Sequence, residues 1–322
     1  MGVCGTNQGP IKGIGINGHP SVLEGCLSHL HDSLELFQSI GFDHVELPAH
    51  GLDVIVGGKI NNDRLERIRR ILAEFSLSYT VHAPNYLNLM DLHDEETHRR
   101  VFTSCLEFTG AIGGELLVYH AGTMPGGCAK DESAVERLKA RERDLLKEFS
   151  DLASDRGVLI AVENSNIEPE VARGRVYAYG ARVEELVEQI IQIHRSNVGI
   201  TLDLGHAYVA SRHYSFDYLA AVQLAAPYVK NLHVYDSFGR VNQVEVPLPY
   251  MYQVIYGLDD LHLPIGWGDM PLERVFSGLV LPPTRMTLEL KPRYADEFST
   301  SLSAAKRLAL LVGESTGRQG GF

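Results

Sequence analysis

Eight short runs rich in Val, Ile, Leu and Tyr recur along the chain, at 12–16, 44–47, 78–82, 116–120, 158–163, 199–203, 230–234 and 286–290, and an amphipathic stretch follows each one. This alternation constrains the fold more than any other feature. Strands separated by helices pair in parallel, because the helix returns the chain to the starting edge of the next strand. The helical patterns fall at 22–40, 62–75, 97–112, 133–153, 183–194, 215–228, 271–279 and 297–312. In the first, Leu23, Cys26, Leu27, Leu30, Leu34 and Phe37 stand three to four residues apart and Gly41 follows as a stop. Eight βα units without a break in composition predict an α/β chain with a single closed (β/α)₈ TIM barrel over 1–312, and a flexible Gly-rich, polar tail over 313–322. A doubly wound open sheet would show fewer strands and a glycine-rich first turn. The spacing Gly13-x-Gly15-x-x-Gly18 lies within or just past the first run and lacks the helix that makes such a turn a phosphate cradle.

One stretch breaks the regularity. The segment 240–257, after the seventh run, is long and carries Tyr250, Tyr252 and Tyr256, which reads as a lid, a substrate wall or a subunit contact. No apolar run approaches the ~18 residues of a membrane span, and residues 1–16 show no basic segment followed by an apolar core, so no membrane partner and no secretory leader is expected. Cys4, Cys26, Cys105 and Cys128 are scattered without metal-like spacing, which predicts reduced thiols in the cytoplasm. A formal charge of −12 argues against a nucleic-acid partner, since phosphate binding rests on Lys and Arg. His29, His31, His93, His98, His194 and His213 sit in polar, helix-like contexts and read as surface or packing residues.

A barrel gathers its chemistry at the C-terminal ends of its strands. Here those ends read Glu46, His82, His120, Glu163, Asp203 with His206, His233 with Asp236, and Glu289 with Lys291; the loop before the seventh helix adds Asp260, His262 and Trp267. Seven of the eight runs thus end in His, Asp or Glu. Buried without compensation, such groups cost several kcal/mol each, and a converging ring of them is best compensated by cations. Mixed nitrogen and oxygen donors with no Cys suit Mn²⁺, Zn²⁺, Mg²⁺ or Co²⁺.

Val-Glu163-Asn, Leu-Asp203-Leu-Gly-His206, His233-x-x-Asp236, His262-Leu-Pro-Ile-Gly266-x-Gly268-Asp269 and Leu-Glu289-Leu-Lys291 together resemble the xylose-isomerase-like barrels over about 14–312. That superfamily includes sugar (phosphate) isomerases, ketose 3-epimerases, inosose-processing enzymes and endonuclease IV. In the isomerase and epimerase branch the resemblance implies one divalent ion held by Glu163, Asp203, His233 and Glu289. It further implies proton transfer by Glu163 and Glu289 through an enediolate of a ketose, inosose or related carbohydrate, with His206 on a substrate oxygen. Glu46, His82, His120, Trp267 and Lys291 would line the pocket, and such enzymes often form homo-oligomers. No phosphate cradle stands out; Lys291, Arg293 and Arg240 are the nearby cations.

The endonuclease IV branch implies three zinc ions, and His82, His120, Glu163, Asp203, His206, His233, Asp260, His262 and Glu289 fall on all nine ligand positions. Against it stand the acidic charge, Ala-Gly after His120 where the nucleases show Pro-Gly, and the long interval from His233 to Asp260. A metal-dependent lyase or C-glycoside-cleaving subunit is a third possibility on the same barrel. The expected partner is therefore a small carbohydrate and the expected activity isomerase or epimerase.

Overall fold

A computed structural model describes residues 9–243 and 248–314. Eight parallel strands close into a barrel: β1 Ile11–Asn17, β2 His44–Pro48, β3 Ser78–His82, β4 Leu116–His120, β5 Leu159–Glu163, β6 Val198–Asp203, β7 Val229–Val234 and β8 Thr284–Leu288. Each is bonded to its neighbours in sequence, and β8 pairs with β1 to seal the ring. The expected (β/α)₈ barrel is what forms.

Register decides which side chains meet. His120 pairs with Glu163 across β4 and β5, and Asp203 pairs with His233 across β6 and β7. Ionisable residues at successive strand ends therefore stand at one level, above strands whose other residues are almost all buried. The outer layer contains α1 Leu27–Ile40, α2 Asn62–Leu72, α3 Glu95–Ala111, α4 Glu132–Ser154, α5 Val183–Ile193, α6 Leu204–Tyr214, α7 Tyr218–Ala225, α8 Tyr250–Tyr256, α9 Leu272–Gly278 and α10 Phe298–Ala309. Each longer helix turns one apolar stripe to the strands: α1 buries Leu30, Leu34 and Phe37, and α5 buries Leu186, Ile190 and Ile193.

Several elements depart from the sequence reading. The pattern at 22–40 is broken, because Glu24 turns left-handed (φ 41) and separates a short helix, Pro20–Leu23, from α1. Helix α6 was not anticipated. It starts with no loop at all, since Asp203 both ends β6 and caps α6 by accepting from the His206 N–H at 2.7 Å. The last strand ends at Leu288, not 290, although the Glu289 N–H still donates to the Val234 carbonyl at 3.2 Å. Within the interval 240–257, residues 244–247 lie outside the described residues; the rest contains α8, whose Met251, Tyr252, Ile255 and Tyr256 are exposed. Of the expected tail, Gly313–Glu314 pairs in parallel with Val280–Leu281, so order extends past 312; 315–322 lie outside the described residues. No helix among the described residues is long and apolar enough to cross a membrane.

Candidate metal centre

Glu163, at the end of β5, is the hub of the barrel mouth. Its Oε2 lies 3.2 Å from Nε2 of both His82 and His120, and its Oε1 lies 3.2 Å from His233 Nδ1 and 3.4 Å from His206 Nδ1. The carboxylate is 1% exposed. Burial pushes its pKa up, but the facing imidazoles of His120 and His233 outweigh that and hold it well below the usual carboxylate range. The same carboxylate acts on His82: burial lowers that imidazole, and the bond to Glu163 with the charges of Glu46 and Glu289 lifts it to about 9.

Glu163, Asp203, His233 and Glu289 each offer a donor atom within 4.8 Å of the others, and so do His82, His120 and Glu163. His233 Nδ1 is 3.8 Å from Asp203 Oδ2 and 3.4 Å from Glu289 Oε2. Its opposite nitrogen, Nε2, is 3.2 Å from Glu46 Oε2. Glu46 is itself held from below by Asn231 (3.4 Å) and Thr80 (3.5 Å). A carboxylate behind an imidazole fixes ring orientation and makes the front nitrogen a better donor to a cation.

Two observations test whether a cation fits. Asp203 Oδ2 is buried with no hydrogen-bond partner, although it points into the four-residue set. Burial, together with the charges of Glu163, Glu289 and Asp260, pushes Asp203 up to about 7 against the pull of His206. A buried carboxylate oxygen without a proton donor, beside three more carboxylates, is the arrangement a divalent ion neutralises. The donor set is nitrogen and oxygen only, so the residues fit a borderline or hard divalent ion.

A third set stands beside these. Asp260 Oδ2 is 3.3 Å from His206 Nε2 and 2.6 Å from His262 Nε2, and Asp260 Oδ1 accepts from the Tyr235 hydroxyl. The same hydroxyl, which has one proton to share, lies 3.0 Å from Asp203 Oδ1, and the ring stacks on that of His262 with centroids 4.2 Å apart. One phenol therefore couples the Asp203 and Asp260 sets. It reaches both because residue 205 is glycine: a Cβ there would meet the Tyr235 ring at 2.3 Å.

The rigid parts beneath have simple causes. Asn164 accepts from the Asp203 N–H at 2.7 Å and donates to the Asp203 carbonyl at 3.0 Å, clamping the ends of β5 and β6 together. Asp236 accepts from the N–H groups of Ser237 (2.9 Å), Gly266 (2.9 Å) and Met270 (3.3 Å). Through these bonds the strand end organises the 260–270 loop that carries Asp260 and His262. Gly268 is required there, since a Cβ would lie 2.3 Å from both Asp236 Oδ1 and the Ser237 carbonyl.

Most members of these sets line a cavity of about 150 Å³; Asp203 and His233 do not. Of the residues singled out in the sequence, Glu46, His82, His120, Glu163, His206, Asp260, His262, Glu289 and Lys291 line it directly. Trp267 does not: it is half exposed, packed edge-on against Tyr294, because the turn at Gly266 (φ 97) carries it to the outer rim. Arg240 faces elsewhere, donating to the Tyr256 carbonyl at 2.7 Å. Sequence reasoning missed Asn17, which stands level with Glu46 at the end of β1, His19, His50 and Asn85, which also line the cavity, and Tyr235, Asn164 and Asn231, which brace the candidate ligand residues. Asn164 and Tyr235 adjoin predicted residues and could have been taken with them; His19, His50 and Asn85 come from loops that carry no periodic signal.

Known proteins resemble the chain throughout this architecture. A D-tagatose 3-epimerase-like protein superposes with a TM-score of 0.67 at 21% identity, covering 93% of this chain and 98% of that one. The IolI protein, solved with a binding zinc atom, superposes at 0.61 with 18% identity, covering 92% and 96%. An uncharacterised protein of Methanocaldococcus jannaschii is 24% identical over 254 residues, 78% of this chain and 74% of its own. At the level of sequence families, the model of the xylose isomerase-like TIM barrels matches residues 34–304, and the chain belongs to that family.

Proposed function

We propose that this protein is a metal-dependent isomerase or epimerase of a small carbohydrate. The observation that carries the reading is the pairing of Glu163 and Glu289: they come from non-adjacent strands, share one four-residue donor set, and both line the same small cavity. The likeness to a D-tagatose 3-epimerase-like protein supports it. Glu163, Asp203, His233 and Glu289 would hold one divalent ion, which supplies a positive charge that acidifies a C–H bond beside a carbonyl.

The residues then have distinct work. Glu163, gripped by four imidazoles, stays ionised and keeps its geometry. Glu289 is the more open carboxylate, 9% exposed against 1%, and is placed to take a proton from substrate and return it. His206 donates from Nδ1 to the Asn164 carbonyl at 2.9 Å and lines the cavity, where a substrate oxygen would share its Nε2 with Asp260 Oδ2, 3.3 Å away. The test is exchange of solvent deuterium into the carbon next to the carbonyl across a panel of ketoses and inososes, run on protein purified without chelators. Exchange on at least one supports the reading; none across the panel sinks it.

A second reading rests on the third set. His206 and His262 both reach Asp260 Oδ2, so all nine positions of a trinuclear phosphodiesterase are gathered at one mouth. Elemental analysis separates the two. About three zinc ions per chain, with cleavage of an abasic-site duplex, would favour the nuclease; a single ion with sugar proton exchange favours the isomerase.

A further inference from the structure

The cavity has two unlike ends. Its floor, at the strand ends, carries the carboxylates and imidazoles described above with Asn17 beside Glu46, and His19, His50, Asn85 and Lys291, from the segments that follow the strands, line the rest. Among the described residues Lys291 is the only Lys or Arg that lines it. Its surroundings are unusual for a cation in a chain of charge −12. Many ion pairs form among the described residues, and Glu289, Asp260 and Glu163 take part in several, yet none of those pairs involves Lys291. The ammonium group also makes no hydrogen bond among the described residues. Its contact is the face of Tyr250, with Nζ 5.7 Å from the ring centroid.

That contact is fixed in place. Tyr250 donates to the Leu261 carbonyl and lies 3.3 Å from the Tyr294 hydroxyl, so the ring bridges α8, the Asp260–His262 segment and the turn after β8. Arg293 lies against the same ring at 5.4 Å and likewise makes no ion pair among the described residues. An aromatic face lends a cation only about 0.5–2 kcal/mol and leaves its N–H donors free. Two cations set on one rigid tyrosine, one of them opening into the cavity, form a receptor for an oxyanion.

We infer that the substrate is an anionic carbohydrate whose phosphate or carboxylate group is held at the rim by Lys291, with Arg293 behind it, while its carbonyl end reaches the floor. This rests on the carbohydrate reading proposed above and names its substrate class. A single lining cation in a small cavity fits one terminal charge; a polyanionic chain would need a strip of cations. Anchoring the far end of the sugar also sets which carbon stands between Glu163 and Glu289, since remote binding contacts fix the position of the reacting group.

The experiment is a set of calorimetric titrations on the whole, metal-loaded protein. Ketoses are offered in matched neutral, terminal-phosphate and terminal-carboxylate forms, with inorganic phosphate as a probe that needs no stereochemical match. Wild type should bind an anionic form at least tenfold tighter than its neutral partner, and whichever anion wins assigns phosphate or carboxylate. Lys291→Met should weaken inorganic phosphate and cancel the preference while metal content and the unfolding temperature stay unchanged; Lys291→Arg should retain most of it. Equal binding of neutral and anionic forms, a preference that survives Lys291→Met, or phosphate that binds both proteins alike or neither, overturns the inference. Deuterium exchange on neutral ketoses without an anion preference removes this proposal and leaves the isomerase standing. An anion preference with no exchange on any ketose does the reverse.

Discussion

At the residue scale, several of the candidate ligands have a second partner that fixes them. His82 donates from Nδ1 to the Ala83 carbonyl at 2.7 Å, His262 from Nδ1 to the Glu289 carbonyl at 3.0 Å, and His233 has Glu46 behind it. Replacing Glu289 by Gln keeps the shape and removes the base. The expected result is a loss of about 10²–10⁴-fold in solvent exchange with the fold retained by circular dichroism, while loss of one ion-holding carboxylate lowers the unfolding midpoint; full exchange in the variant would remove Glu289 from the role. Tyr235→Phe deletes one hydroxyl that serves both Asp203 and Asp260. It should cost about 1–3 kcal/mol in urea unfolding, because the one proton shared between two buried carboxylates is lost. How far a residue's part was legible depended on where it stands. Strand ends announce themselves by position, so the residues that gather at the barrel mouth could be picked out from the chain alone. Trp267 could not be placed, because nothing in its neighbourhood tells which side of a left-handed turn it will face, and Tyr235 was passed over between two more conspicuous residues.

At the scale of elements, the barrel strands could be read to within about two residues, because burial on both sides leaves short apolar runs. Helix α6 could not, since one residue, Asp203, closes a strand and opens a helix with no turn chemistry between. A similar economy holds α4 to the barrel. Glu142, fully buried on α4, accepts from the Tyr119 hydroxyl (2.9 Å), the Gly122 N–H (2.8 Å), the Tyr179 hydroxyl (2.5 Å) and the Gln189 amide (3.2 Å). Tyr119 and Gly122 flank His120, so this carboxylate steadies the end of β4 from outside. Burial raises its pKa, and the four donors offset part of that rise. Glu142→Ala should destabilise the protein by at least about 3 kcal/mol, since several buried donors lose their acceptor together; Glu142→Gln should cost much less. Equal losses for the two variants in denaturant unfolding would show that the acceptor oxygens are not what matters.

At the scale of the whole molecule, a divalent ion at the proposed centre would couple binding to stability. An ion held at a hundred times its Kd stabilises the folded state by about 2.7 kcal/mol. Prolonged chelation should therefore lower the unfolding temperature and re-addition should restore it. A melting curve indifferent to both treatments would argue against a resident ion.

The closing seam of the barrel has a further consequence. Residues 82, 120, 163, 203 and 233 are all present once seven strands are made, but β8 must slot between β7 and β1 before Glu289 joins them. During synthesis the nascent polypeptide thus cannot assemble the whole donor set until β8 has left the ribosome. Capture of the proposed ion would then be a late event that certifies a finished ring, and a product ended before β8 would carry only part of the trap.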